Sequence, residues 1–277
     1  MSSSEEYETS RAEKRNLTED SAASRELTFL DGAAIKPTEA DVEKAAMLPF
    51  DRVTIDYEGL DPFPDSSLLA ELGQTLEVRV TIPVRADGFD PFGDDSTLAS
   101  LPDGLNTVLV AGNPAYLSRE ERSRAIAPRF RAAMEYAVDP WIGTEAVERI
   151  ALATGATQFE LYSKSTEHDL RALRAAGYEG TIAVYAPTIL TDDTDEILDA
   201  IGEYVSRRKP VANRLPAETA TDRSATGTAR DVLLEGANNY ALVGSKERVA
   251  ERAADIREAG ADLIIGYPAR GIEEFGV

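Results

Sequence analysis

Tyr240–Ser245 (YALVGS), Lys246–Ala259 (KERVAERAADIREA), Gly260 and Ala261–Pro268 (ADLIIGYP) decide the fold. A short apolar run ends in glycine. An amphipathic helical stretch follows and Gly260 closes it. A second apolar run comes next, ending in Gly266, with Arg270 just beyond. Strand, turn, helix, turn and strand in this order form the unit that builds parallel sheets.

The unit recurs upstream. Strands are predicted at Leu27–Asp31, Arg52–Tyr57, Leu76–Val84, Asn106–Gly112, Gln158–Ser163, Thr181–Ala186, Tyr240–Gly244 and Asp262–Gly266. Thr38 can cap a helix running to about Met47. Further helices are expected at 66–73, from Ser118 onward with an interruption at Pro128, and at 144–153, 166–176, 192–207, 228–235 and 246–259. Asp139–Gly143 (DPWIG) reads as a break between helical stretches. Gly88–Asp95 and Asn213–Gly227 read as loops. Eight short apolar strands, most followed by a helix, predict a closed (β/α)8 barrel over residues 25–277. An open doubly wound sheet is the alternative, but LDGAA after the first strand holds no GxGxxG fingerprint, and there is no Walker A motif. Residues 1–24, polar and rich in Ser and Glu, read as a disordered tail.

Composition narrows the function classes. The chain has 277 residues with 50 Asp and Glu against 29 Lys and Arg, a net charge of −21. That surplus is spread along the whole length, which suits a solvated surface adapted to high salt. It disfavours nucleic acid and anionic membranes as partners. No apolar run approaches the roughly 18–20 residues that span a bilayer, and the polar, acidic N-terminus is not a signal or transit peptide, so a cytoplasmic location is expected. The absence of cysteine removes disulfides, thiolate nucleophiles and thiolate metal sites. One histidine, His168, excludes a multi-histidine metal site within one chain.

Catalytic groups of a barrel sit where strands end at its C-terminal face. The strand ends offer Asp31, Asp56 and Glu58, Arg85 and Asp87, Asn113, Ser163 and Lys164, Thr188, Gly244 and Ser245, then Tyr267 and Arg270. Gly244-Ser245-Lys246 opens a helix. Its N–H groups, hydroxyl and lysine suit a phosphate, with Arg270 closing over the anion. Equally, Ser245 can be a plain N-cap and Lys246 solvated. Lys164 could form a Schiff base if burial lowered its pKa, or begin a helix at the surface. Asp31, Asp56 and Glu58 could form an acidic cluster for general base or cation work, or be loop carboxylates of an acidic chain. Asn113 could meet a cofactor ring edge or turn the chain. His168 could serve in acid/base work or sit exposed on its helix, and Trp141 reads as a core plug.

The C-terminal stretch 240–271 resembles the end of the luciferase-like flavin and deazaflavin oxidoreductases, and within them is most similar to the archaeal methylene-tetrahydromethanopterin reductases. Gly244-Ser245-Lys246-Glu247 stands at the family's turn, with Lys246 where proline is usual; Ala259-Gly260-Ala261-Asp262 and Gly266-Tyr267-Pro268 match; Thr181–Ile201 is similar to strand six and its helix. The resemblance implies a (β/α)8 barrel with a deazaflavin (coenzyme F420) or FMN ring at its C-terminal mouth, passing hydride to or from a small-molecule substrate. From the strand ends, Asn113, Ser163, Gly244, Ser245, Lys246, Gly266 and Arg270 are the cofactor-binding candidates and Asp31, Asp56 and Lys164 the catalytic candidates, and the resemblance favours the phosphate reading of Gly244–Lys246. A Schiff-base lyase or aldolase using Lys164 and a non-catalytic barrel are the alternatives, and a homodimer paired through helices is left open.

Overall fold

The computed structural model describes residues 27–276. The expected tail, 1–24, lies outside the described residues. The strands are β1 (Gly32–Ile35), β2 (Arg52–Ile55), β3 (Glu77–Pro83), β4 (Asn106–Val110), β5 (Val138–Gly143), β6 (Thr157–Leu161), β7 (Ile182–Ile189), β8 (Leu242–Val243) and β9 (Leu263–Pro268). All pair in parallel. Strands β1 to β7 follow one another around the sheet, β6 pairs with β7, and β9 bridges β7 to β1. The result is a closed eight-stranded barrel wrapped by helices. Among the described residues no helix is long and apolar enough to cross a membrane.

The strand count agrees with the sequence reading, but two of the strands do not. The run 240–244 yields only the two-residue β8, which pairs with Thr188 and Ile189 at the tip of β7 and stays out of the ring. Its place is taken by DPWIG, read from the sequence as a break. Pro140 lacks a ladder donor, and the chain absorbs it with a bulge: Asn106 pairs with Val138 but Val108 pairs with Trp141, so β5 carries one residue more than β4. Asp139 holds the kink at φ +42°. The first strand also moves, from 27–31 to Gly32–Ile35. A Cβ on Gly32 would meet the Arg52 backbone oxygen at 2.8 Å, so only glycine lets β1 and β2 approach here. Pro128 stands inside the Ile126–Tyr136 helix, in a first turn that needs no N–H partner, so the helix break falls upstream at Arg124 and Ala125.

Alternation along the strands sorts the side chains. Outward-facing Val53, Ile55, Val80, Ile82, Leu109, Ile142, Val184 and Ile264 meet Leu69, Phe130, Leu170, Val249 and Ile256 from the surrounding elements, all buried in one core. Burying a side chain of this kind contributes about 1.5–3 kcal/mol. Inward-facing Ala34, Val108, Trp141, Phe159, Ala183, Tyr185, Ile265 and Tyr267 fill the barrel. Its aromatic members run in series: Trp141 lies 5.6 Å from Phe159, Phe159 lies 5.7 Å from Tyr185, and Tyr185 stacks on Tyr267 at 6.3 Å. Trp141 is therefore the core plug the sequence suggests.

At the N-terminal end a charged layer closes the barrel. Arg79 donates to Glu77 (2.9 Å), to the Asp139 carboxylate (2.9 Å) and to the Asp139 carbonyl (2.8 Å). Its guanidinium lies 4.1 Å from the centre of the Trp141 ring, and Arg52 pairs with Glu77 from the other side. At the opposite end, the connection from β7 to β8 builds a second core. Ile197, Ile201 and Val205 of the Thr194–Ser206 helix pack against Val232, Leu233 and Ala237 of the Gly227–Tyr240 helix, with Ile189 and Val243 beneath.

Candidate active site

Moving β1 down the chain changes which residues reach the C-terminal mouth. Lys36 follows β1, Asp56 follows β2, and Tyr185 and Tyr267 point inward from the middle of β7 and near the end of β9. The Tyr185 hydroxyl donates to the Asp56 carboxylate across 3.0 Å. The Lys36 ammonium donates to Glu39 (3.1 Å) and lies 4.0 Å from the centre of the Tyr267 ring, while the Tyr267 hydroxyl donates to the other Glu39 oxygen. Glu58 accepts from the Thr38 backbone N–H (3.0 Å), the Thr38 hydroxyl (2.5 Å) and Tyr116 (3.2 Å). From the helical connection, Arg208 pairs with Glu145 (3.2 Å) and donates to Tyr204, its guanidinium 4.4 Å from the centre of that ring.

This enclosure shifts proton affinities. Burial pushes the Asp56 carboxyl up from 3.8 to about 6, against the pull of Lys36 and the Tyr185 hydroxyl and with a further push from Glu58 and Glu39. Burial and the Asp56 charge hold Tyr185 well above its ordinary value. Burial raises Tyr204 too, offset in part by Arg208. A carboxyl that titrates near neutral pH can both take and give a proton. A cavity of about 250 Å³ opens beside Lys36 and Glu39, lined also by Tyr267, Arg270, Gly271 and Ile272; Asp56 and Tyr185 are not part of its lining.

The structure distributes the sequence candidates widely. Asp56 is in the mouth. Asp31 is at the far end of the barrel, because it precedes β1 rather than ending it; it accepts from Arg257 (2.6 Å) and from the Ile264 N–H (2.7 Å) and ties the base together. Lys164 is exposed, as is His168. Asn113 is exposed and accepts from the Ala115 N–H (2.9 Å), turning the chain. The Ser163 N–H donates to Thr166 (2.9 Å) at a helix start. Gly266 faces outward: a Cβ there would meet Leu30 at 2.7 Å and Phe275 at 3.1 Å. Lys246 is exposed on the first turn of the Lys246–Ala259 helix.

Lys36, Glu39, Tyr185 and Tyr204 were not among the candidates. Two signals could have found them. Period-two alternation in TIAVYA places Ala183 and Tyr185 on one face and Ile182, Val184 and Ala186 on the other. Lys36, one of only six lysines, directly follows the apolar run Ala33-Ala34-Ile35.

A flavin or deazaflavin does not fit this arrangement. At 244–246 the helix start is already satisfied: Ser245 accepts from the Arg248 N–H (3.4 Å), and the Glu247 carboxyl is held below its ordinary value by hydrogen bonds from its own N–H and from the Ser245 hydroxyl. The Glu247 carboxylate thus adds negative charge to the turn where a phosphate is expected. Arg270 is bound by Glu196 (2.9 Å) and Glu274 (3.4 Å). The cavity, at about 250 Å³, is smaller than the ~300–1,000 Å³ of ordinary ligand pockets, and aromatic rings fill the barrel beneath the mouth. Among the described residues no cluster of His, Asp or Glu is placed to hold a metal ion.

Comparison with known structures agrees on the barrel. The chain is similar to an F420-dependent secondary alcohol dehydrogenase in complex with an F420-acetone adduct, with a TM-score of 0.52 and 12% identity over 88% of this chain and 94% of that one. It also matches the monooxygenase RslO1 from Streptomyces bottropensis, with a TM-score of 0.45 and 16% identity over 86% and 91% of the two chains. No curated protein matches the chain. Its sequence from residue 26 to 275 fits the model of the family of unknown function DUF7388, and to that family the chain belongs.

Proposed function

We propose that the protein is an enzyme on a luciferase-like barrel, working by proton transfer at Asp56 on a small polar molecule bound at the C-terminal mouth. The observation that carries this reading is the Asp56–Tyr185 pair: a carboxyl raised to about 6, held by a hydroxyl at 3.0 Å, at the end of the barrel where such enzymes react. The fold supports descent from the luciferase-like oxidoreductases, and the self-satisfied turn at Ser245–Glu247 supports a branch that no longer holds their cofactor. The acid surplus supports a cytoplasm rich in salt, as in salt-adapted archaea, as the working environment.

The test is hydrogen exchange into substrate. Small carbonyl compounds and hydroxy acids are incubated with the protein in heavy water at high salt, and their carbon-bound hydrogens are followed by mass. The reading expects protein-dependent deuterium uptake by at least one compound, slowed about 100-fold in Asp56→Asn. Uptake equal in native and variant protein overturns it.

Hydride transfer with coenzyme F420 or FMN is the second reading, favoured by the barrel shared with the F420-dependent dehydrogenase. Saturable micromolar binding of either cofactor to the folded protein, weakened by Arg270→Glu, would establish it in place of the first.

A further inference from the structure

Lys36 and Asp56 are cross-strand neighbours. Ile35 pairs with Ile55 in the parallel register, and the Asp56 N–H donates to the Ile35 carbonyl across 2.8 Å. Both isoleucines are buried in the core outside the barrel, so the residues that follow them turn inward together. The Lys36 side chain is 23% exposed, and its contacts all suit an ammonium: the Glu39 carboxylate at 3.1 Å and the face of the Tyr267 ring at 4.0 Å. Its charge reaches several elements of the mouth. Burial raises the Asp56 carboxyl, and Lys36 is the strongest of the groups that pull it back, ahead of the Tyr185 hydroxyl. Burial also raises the Tyr116 and Tyr204 hydroxyls, and Lys36 is among the groups that pull both back. Glu58 and Glu39 act on Asp56 in the opposite sense and push it up. From β3 the next residue in register is Thr81, whose uncharged hydroxyl accepts the Tyr57 N–H. Tyr204, on the Thr194–Ser206 helix, faces Tyr185.

We infer that Lys36 is a positioning residue for Asp56: a fixed ammonium, seated against Glu39 and the Tyr267 ring, that keeps the neighbouring carboxyl able to ionise and so to accept a proton. This deepens the reading of Asp56 as the proton-transfer group and rests on it. Lys36 itself neither takes nor gives the proton. Neighbouring strands lie about 4.8 Å apart, and an opposite charge at about that distance lowers a carboxyl by about 1–3 units. Without the ammonium, burial, Glu58 and Glu39 would be opposed by the Tyr185 hydroxyl alone, and the carboxyl would keep its proton at neutral pH. Glu39 competes with Asp56 for the same ammonium and adds its own repulsion. Neutralising Lys36 and neutralising Glu39 therefore move Asp56 in opposite directions. Lys36 lines the cavity and Asp56 does not, so the ammonium is the member of the pair that a molecule held there would meet.

The test is a carbon-13 NMR titration of labelled aspartate in the full chain, with deuterium uptake into substrate followed over the same pH range. Lys36→Met is expected to move the Asp56 midpoint up by about 1–2 units. Lys36→Arg keeps a cation and leaves the midpoint within about half a unit of native. Glu39→Gln keeps an amide beside the ammonium, removes the competing charge and moves the midpoint down by about half a unit. Opposed movements from the two partners of one contact do not arise from a general loosening of the mouth. In the uptake assay, Lys36→Met is expected to be about tenfold slow at pH 6 and to recover the native rate at pH 9. Lost contact with substrate would instead slow it equally at both. A midpoint unmoved by Lys36→Met, a movement as large in Lys36→Arg, or equal slowing at both pH values overturns the inference. Any of these leaves the proton-transfer reading standing while uptake still depends on Asp56. Midpoints that move as expected in a protein that promotes no uptake sink that reading and leave the coupling of Lys36 to Asp56 in place.

Discussion

Tyr185 and Asp56 lie 129 residues apart, on β7 and just after β2, and meet at 3.0 Å across the open end of the barrel. The hydroxyl steadies the ionised carboxylate, and burial opposes it more strongly, so the carboxyl settles near 6. Ionising Asp56 in the folded state is therefore costly.

That cost fixes the sign of a pH effect. The carboxyl is raised in the folded protein from 3.8 to about 6, so the native state holds more protons between those values. Stability is full below about 4 and falls as pH rises through 6, by at most about 3 kcal/mol. Asp56→Asn removes the ionisation and keeps a group that can accept from Tyr185. The variant is expected to be more stable than native protein at pH 8 by about 1–3 kcal/mol and no more stable at pH 4. Urea denaturation at both pH values checks this, and an equal change at both would refute it.

Tyr185→Phe preserves volume and stacking on Tyr267 while removing the donor to Asp56. The ionised carboxylate loses support, so the Asp56 titration should move up by about one unit. Carbon-13 NMR of labelled aspartate reads the midpoint directly. A downward or absent movement would mean the hydroxyl does not serve the carboxylate.

At the base, Arg79 is 4% exposed and holds Glu77 and Asp139. Arg79→Met leaves both carboxylates facing one another with the Trp141 ring uncovered. A loss of about 1–3 kcal/mol is expected, because Arg79 is buried but Asp139 reaches water and Glu77 keeps Arg52. Arg79→Lys should recover only part, since one ammonium cannot span both acids and the Asp139 carbonyl. Thermal melting separates the three proteins.

Gly266→Ala tests whether that glycine serves packing or a ligand. The new methyl would stand 2.7 Å from Leu30, so a cost of about 1–3 kcal/mol is expected with the Asp56 titration unchanged. Ser245→Ala should cost about 1 kcal/mol through its lost cap and likewise leave the mouth untouched. Either substitution altering the Asp56 midpoint would tie these positions to the site after all.

The barrel was legible because six of its eight strands announce themselves as apolar runs between turn signals. DPWIG was missed because Asp-Pro is the local signature of a turn, and only pairing with β4 across a bulge makes it a strand. YALVGS was misplaced for the converse reason: its pattern is that of a barrel strand, but β7 spends Ala183–Thr188 on β9 and leaves only its tip for Leu242 and Val243. The site depended on a shift of a few residues. With the first strand set at 27–31, Asp31 reads as a strand end and Lys36 as loop; with it at Gly32–Ile35, the two exchange roles. Asp56 survived because β2 begins where its apolar pattern begins. Tyr204 and Arg208 come from a connection whose placement over the mouth no local pattern encodes.

The ring closes without β8, so the stretch from Leu190 to Ala241 carries none of the barrel's ladder bonds. It holds itself together through its own core of Ile197, Ile201, Val205, Val232 and Leu233. The chain is therefore expected to open in two steps of unequal reach. In native-state hydrogen exchange, amides of the 194–206 and 227–240 helices are expected to exchange faster than those of the ring, and equal protection would refute this. Tyr204 and Arg208 travel with these helices, so the mouth is expected to open and re-form with them.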